Sequence, residues 1–338
     1  MFTQGRACEV RKPPELPAAD GTDGATTPAP PSVWVTTDIV PGSRALAPEV
    51  PIEFAGAGAW EALVLASVLA EQSASVVILD EPAVALHHSL QRQVGAHLHD
   101  GSAQFIVITH SPELLPLGEV NNVEIIRLDR QDGVTIAHAV DEVCRVKMSA
   151  KLIAKGNERL PFAWRAVLCE GQDDVGAVNT LASRMCLHLH RKNIAVIDCG
   201  SRDNLPDYIW FCAQLGIGYL AVMDADASKS DAAANAAAVR AAHTQHAGGE
   251  LIEFPENLEA TFGVAKRKPS LVPEAVRALP FTGDDPDPAR VPAEVVTLSV
   301  ALRRLTANDQ GAFELPGKQG RRATPQSAKQ HSSGITHP

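Results

Sequence analysis

Two apolar runs in this sequence end in carboxylates, and their spacing suits metal chemistry. Residues 166–174 read Ala-Val-Leu-Cys-Glu-Gly-Gln-Asp-Asp, and residues 219–226 read Tyr-Leu-Ala-Val-Met-Asp-Ala-Asp. The first run delivers Glu170 at a strand end, Gly171 turns the chain, and Asp174 begins the next helix. In the second, Asp224 and Asp226 stand at i and i+2, so both side chains project to the same side of an extended segment. Carboxylates at this density repel one another and need one or two divalent cations to settle. An all-oxygen set suits Mg2+ or Mn2+, and no convergent His or Cys favours zinc.

A second constellation lies nearer the start of the chain. Residues 76–82 read Val-Val-Ile-Leu-Asp-Glu-Pro, and residues 105–111 read Phe-Ile-Val-Ile-Thr-His-Ser. Upstream, Gly56-Ala57-Gly58-Ala59-Trp60-Glu61 opens a helix. In this order the three elements resemble the C-terminal half of an ABC-type ATPase head. The resemblance makes Gly56 and Gly58 the signature loop, Asp80 the magnesium ligand, Glu81 the group that polarises water, and His110 the sensor of a γ-phosphate. The phosphate cradle G-x-x-x-x-G-K-[ST] occurs nowhere in these 338 residues. ATP binding would therefore require a P-loop supplied from elsewhere, and the ATPase half reads as degenerate or incomplete.

The pattern E-G-x-x-D followed by D-x-D resembles the Toprim domain of topoisomerases, primases and OLD (overcoming lysogenization defect) nucleases. Val196-Ile197-Asp198-Cys199-Gly200-Ser201 resembles the second strand and glycine turn of that domain. Pro255-Glu256-Asn257-Leu258-Glu259 resembles the segment that brings a further acidic ligand, with Glu259 the preferred match and Glu256 the fallback. Ala85-Leu86-His87-His88-Ser89-Leu90-Gln91 resembles the L-H-P-x-x-Q stretch of OLD proteins, with His88 in place of the proline. An ABC-type head followed by a Toprim domain is the order found in OLD endonucleases.

The resemblance implies metal-dependent hydrolysis of DNA phosphodiesters. Glu170, Asp224 and Asp226 would be primary ligands, with Asp174 and Glu259 supporting a second ion. The cation opposite the scissile phosphate would be Arg202 or a member of Lys266-Arg267-Lys268, a run that reads equally well as solvated surface. The partners implied are DNA and either a second copy or an intact ATPase subunit. Two other readings stay open. One is a non-catalytic regulatory remnant; the other is a primase- or topoisomerase-type enzyme, for which Tyr208 and Tyr219 are the only available tyrosines.

The elements that must position these groups follow from periodicity. Helical spacing runs from Gly58 to Ala70, strands are expected at 76–80 and 105–109 with a helix over 89–99 between them, and 123–128 reads as an edge strand. Residues 141–163 form a helical linker. The Toprim-like unit, 164–282, is expected to carry strands 166–169, 194–198, 219–223 and 250–254, with helices over 173–190, 204–215 and 230–246. The fold class is α/β: a partial ATPase unit over 33–140, then a Rossmann-like domain with a parallel four-stranded sheet. Residues 1–32 and 283–338 read as disordered, apart from one helix near 293–307.

Composition sets the outer limits. A net charge of −10 argues against coating nucleic acid by bulk charge, and 45% apolar residues support real cores. The six cysteines show no metal-ligand spacing and read as reduced thiols. With no apolar run near the ~18 residues of a membrane helix, a cytoplasmic protein without a membrane partner is expected.

Overall fold

The computed structural model describes residues 8–11, 32–36, 49–51, 56–70, 74–99, 103–115, 123–131, 133–225, 230–246, 248–255, 257–264 and 271–307. The chain opens with strands β1 (Cys8–Arg11), β2 (Ser32–Thr36) and β3 (Glu49–Pro51), which form an antiparallel sheet in the order β1-β2-β3. Residues 8–11 therefore belong to a strand rather than to the disordered segment the sequence suggests. Cys8-Glu9-Val10-Arg11 is too short to register as a strand until Val33-Trp34-Val35 lies beside it.

Helix α1 (Ala57–Ala70), strand β4 (Val76–Asp80), helix α2 (His88–His99) and strand β5 (Gln104–Ile108) build the next unit. Strands β4 and β5 pair in parallel, with Asp80 opposite Ile108. One face of this pair, with Val77, Leu79, Phe105 and Val107, packs on Leu65 of α1 and on Leu86, Val94 and Leu114. The other face presents Val76, Ile78, Ile106 and Ile108 exposed. The expected edge strand at 123–128 is instead half of an antiparallel hairpin, β6 (Ile126–Gln131) with β7 (Val134–Ala139). This hairpin docks on the next domain, where Arg127 Nη1 donates to the Leu215 carbonyl at 2.9 Å.

Helix α3 (Glu142–Lys155) links the two regions. Asp141 caps its start by accepting from the Cys144 amide at 2.8 Å, and Gly156 ends it with φ +67°, a conformation that glycine adopts without a Cβ penalty. The domain that follows is a doubly wound sheet. Its strands are β8 (Arg165–Cys169), β9 (Ile194–Asp198), β10 (Gly218–Asp224) and β11 (Gly249–Phe254), all parallel in the order β11-β10-β8-β9. Near-continuous apolar runs such as Tyr219-Leu220-Ala221-Val222-Met223 fit strands covered on both faces.

Helices α4 (Gln172–Arg184), α5 (Leu205–Gln214), α6 (Ser230–Gln245), α7 (Leu258–Thr261) and α8 (Val272–Ala278) follow the strands. One face of the sheet packs on α3, α5 and α6 through Met148, Leu152, Tyr208, Ile209, Phe211 and Val239. The other packs on α4, α8 and α9 (Ala293–Thr306) through Val178, Leu181, Val276, Leu298, Leu302 and Leu305. Helix α9 is thus part of this core, and the short pair β12 (Phe281–Thr282) and β13 (Asp285–Pro286) leads into it. The sequence reading ends the domain at residue 282 because Asp-Pro and Gly residues surround the helix and mask its apolar stripe. Helix α4 ends at Arg184 rather than near 190, since Cys186 adopts φ +54° and breaks the helical run.

Strands β8 and β10 are neighbours whose connections leave in opposite directions, β8 toward β9 and β10 toward β11. Their C-terminal ends form the topological switch point, where open α/β sheets bind ligands. Glu170 and Asp224 stand there.

Close packing around β11 gives a stability test. A methyl group at Gly249 would overlap the Tyr219 carbonyl and ring. Gly249→Ala is expected to cost about 1–3 kcal/mol through overpacking, read as a lower midpoint in chemical denaturation, whereas Gly171→Ala meets open space and stays near wild type on packing grounds.

Candidate metal centre

The ends of β8 and β10 and the start of α7 bring Glu170, Asp174, Asp224 and Glu259 into one electrostatic neighbourhood. Glu170 Oε1 accepts from Arg202 Nε at 2.9 Å and from the Asp224 backbone amide at 2.7 Å. Both partners of the ion pair are largely buried, Arg202 at 10% and Glu170 at 17% side-chain exposure. Asp174 Oδ2 accepts the Gly171 amide at 2.9 Å, and Asp224 Oδ1 accepts the Leu258 amide at 3.0 Å. Asn257 caps α7 by accepting from the Ala260 amide at 2.7 Å, which places Glu259 in the helix's first turn.

These contacts each use one named oxygen of a carboxylate that has two. Burial raises the Asp174 carboxyl to about 7, assisted by the charges of Glu170, Glu259 and Asp173 and opposed by the Gly171 amide. Burial likewise raises Asp224 to about 8, assisted by Asp174, Glu170 and Glu259. A site that pushes its own carboxylates toward the protonated form lacks positive charge. Its all-oxygen donor set fits a hard divalent cation. Among the described residues, no three His, Cys, Asp or Glu side chains form a ready-made cage; Glu170 is paired with Arg202, and Asp174 and Asp224 accept backbone amides. Asp226, Glu256 and Lys266-Arg267-Lys268 lie outside the described residues, as do Arg321 and Arg322.

Asp198, at the end of β9, is one strand spacing from this centre, since it pairs with Cys169, the residue before Glu170. Its Oδ1 accepts the Gly200 amide at 2.7 Å, and its Oδ2 lies 3.3 Å from Lys155 Nζ. Asn157 Nδ2 donates to the Asp198 carbonyl at 2.8 Å. Lys151 donates to Asn204 at 2.8 Å and pairs with Asp207, which Lys147 also reaches at 2.7 Å. These residues fix the glycine turn that carries Arg202. The sequence reading missed Lys147, Lys151 and Lys155; their i, i+4, i+8 spacing on one face of α3 was the available signal.

The tyrosines and the buried cysteines drop out as nucleophiles. Tyr208 and Tyr219, the chain's two tyrosines, are buried and hydrogen-bonded, and burial raises both hydroxyls. Cys144, Cys169, Cys199 and Cys212 are buried free thiols, also pushed up by burial.

In the first unit, the structure brings Asp80, Glu81 and His110 to adjacent strand ends. Glu81 Oε2 lies 2.8 Å from His110 Nδ1, with His110 78% exposed. Glu81 adopts φ +47°, and its amide donates to the Ile108 carbonyl at 2.8 Å. Gly58 packs on the following turn: a Cβ there would meet the Ala85 carbonyl oxygen at 2.7 Å, whereas Gly56 faces open space. Two residues hold this turn that sequence reasoning had not assigned. Glu61 accepts the Val84 and Ala85 amides at 3.1 and 2.7 Å. Buried Gln91 donates to the Ala83 and Leu86 carbonyls, both at 2.8 Å, and accepts from Ser111 Oγ at 2.7 Å.

A family model described as "Overcoming lysogenization defect protein-like, TOPRIM domain" matches residues 162–226. The chain carries an OLD-like TOPRIM domain. An AAA-type segment precedes it: residues 57–115 match the model "AAA domain, putative AbiEii toxin, Type IV TA system". An OLD nuclease from Thermus scotoductus (strain ATCC 700910 / SA-01) is 27% identical over 249 residues, 65% of this chain and 47% of that protein. The chain thus spans about half the length of this curated relative. A solved chain from work on ATP-driven dimerization and DNA-stimulated activation of SMC ATPases aligns with a TM-score of 0.31 and 20% identity, over 46% of this chain and 84% of that one. Glu170, Asp174, Asp198, Arg202, Asp224 and Asp226 fall inside the matched span, whereas Glu256, Glu259 and Lys266-Arg267-Lys268 lie beyond it. Among the described residues, no helix is long and apolar enough to cross a membrane.

Raised carboxylates give a pH-linked prediction. The folded pKa values, about 7 and about 8, exceed the unfolded value of ~4. The folded state therefore holds extra protons between these values, and without divalent ions the stability contributed by these groups falls as pH rises from ~4 to ~8. Millimolar Mg2+ should raise the melting temperature more at pH 8.5 than at pH 5, where protons occupy the same oxygens. Asp224→Asn should abolish most of that difference. Equal Mg2+ shifts at both pH values in differential scanning fluorimetry contradict the assignment.

Proposed function

We propose that this chain is a Mg2+- or Mn2+-dependent DNA endonuclease of the OLD type, acting at its TOPRIM carboxylates. The observation that carries the reading is the meeting of Glu170, Asp174, Asp224 and Glu259 at the switch point of a doubly wound sheet, in the domain shared with a nuclease. Glu170, Asp174, Asp224 and Glu259 would hold the metal, together with Asp226. The bound ions would activate water and neutralise charge on a phosphodiester, as in two-metal hydrolases. Within the chain, Arg202 keeps Glu170 pointed into the site, and the amides of Gly171 and Leu258 orient Asp174 and Asp224. Lys266 remains our candidate for a second phosphate-facing cation.

The AAA-type segment is proposed to need a P-loop from an intact ATPase subunit, because a second copy of these 338 residues would bring none. The exposed apolar face of Val76, Ile78, Ile106 and Ile108 supports a covering partner, because parallel strands are ordinarily covered on both faces. Asp80, Glu81 and His110, with Gly56 and Gly58 at the head of α1, would then serve a shared nucleotide. Cytoplasmic phage defence or DNA repair is the setting this reading suggests.

Supercoiled plasmid incubated with the purified full chain and Mn2+ or Mg2+ should be nicked. Glu170→Ala and Asp224→Ala should each fall to the background seen in EDTA. Plasmid left intact under every metal would sink the reading, and equal nicking by wild type and both variants would assign the activity to a contaminant.

A further inference from the structure

Two cations rest on the glycine turn after β9, and they differ in what they can reach. Arg202 is 10% exposed and its Nε is committed to Glu170. Lys155 is 39% exposed, and its amine contacts Asp198 at 3.3 Å. Asp198 is 19% exposed and also accepts the Gly200 amide, so it keeps a hydrogen bond when the lysine turns to another anion. Lysine carries three donors on a flexible stem, and among the described residues Asp198 engages one of them.

The end of this side chain lies directly over the turn. Gly200 adopts φ +84°, which glycine accommodates, and a Cβ there would lie 2.6 Å from Lys155 Cε and 3.2 Å from its Nζ. Lys155 is also the last residue of α3, where a cation offsets the negative end of the helix dipole, and that alone would account for a lysine at the position. It does not account for a stem laid across the turn toward the carboxylate edge, where the amine meets Asp198 and not a carbonyl of α3. Lys147 and Lys151, on the same helix face, are tied to Asp207. Lys155 is one turn nearer the metal centre, beside a residue one strand spacing from Glu170.

We propose that Lys155 binds a backbone phosphate of the DNA, seating the strand across the Asp198–Arg202 turn. The proposal rests on the nuclease reading and adds a substrate-binding residue contributed by the linker helix.

The test is fluorescence anisotropy of the full chain with a labelled duplex, in EDTA and in Ca2+, across a KCl series. Lys155→Gln should weaken binding about three- to tenfold and reduce the slope of log affinity against log salt by roughly 0.9, the release of one counterion. Lys155→Arg should keep the slope. Arg191→Gln, an exposed charge at the opposite end of the sheet, should leave both values unchanged. Plasmid nicking by wild type, with Lys155→Gln matching its affinity and slope, overturns the role of Lys155 and leaves the nuclease reading standing. Equal losses in Lys155→Gln and Arg191→Gln overturn it as bulk charge. Absence of wild-type DNA binding in both buffers, together with intact plasmid, overturns both.

Discussion

A single carboxylate oxygen organises the second domain. Glu170 Oε1 takes the Arg202 guanidinium from the turn after β9 and the Asp224 amide at the end of β10, while its own backbone ends β8. Three neighbouring strand ends are thereby joined at one atom. The ion pair is mostly shielded from water, so leaving either charge without the other would cost several kcal/mol. Burial likewise raises Asp174 and Asp224, with the charges of Glu170 and Glu259 adding to it. The centre is therefore rigid in geometry and short of positive charge, a combination suited to an incoming cation.

How the chain reaches that arrangement depends on elements that look unrelated in sequence. Helix α3 supplies Lys147, Lys151 and Lys155 at one-turn intervals, and the chain just beyond it supplies Asn157; all reach the segment between Asp198 and Asp207. Helix α7 contributes the Leu258 amide to Asp224, and Asn257 fixes its first turn. The turn bearing Arg202 is thus gripped by the helix that precedes β8. A shift of α3 would act on the Arg202–Glu170 pair before it acted on the sheet, since β8 and β10 are locked by parallel pairing and two packed faces.

The strands and their terminal carboxylates were legible because each is a short apolar run closed by an acidic residue, a local signal. The pairing of Asp80 with the His110 loop was legible for the same reason. The partners of Lys155, Glu61 and Gln91 were not. Each acts across a distance that spacing cannot encode: Glu61 bonds amides 23 and 24 residues away, and Lys155 meets an acid 43 residues away. Helix α9 was legible as a helix near 293–307, but not as part of the core. Its apolar stripe is present in the sequence, but flanking Asp-Pro and Gly residues suggest a tail, and only the groove beside α4 and β11 gives the stripe something to cover. The hairpin β6–β7 was taken for an edge strand because periodicity identifies a strand and says nothing of its partner.

The AAA-type segment carries its own constraint. Glu81 sits at φ +47°, a backbone region that non-glycine residues occupy at some cost. Such a conformation persists only where the surroundings over-determine it. Here they do: Glu61 fixes the amides that follow, Gln91 fixes two carbonyls of the same turn, and the Ile108 carbonyl takes Glu81's own amide. Ser111 joins Gln91 to the loop bearing His110, so the glutamate and the histidine share one frame. The frame that poises Glu81 against His110 is thus built from side chains and backbone between residues 61 and 111.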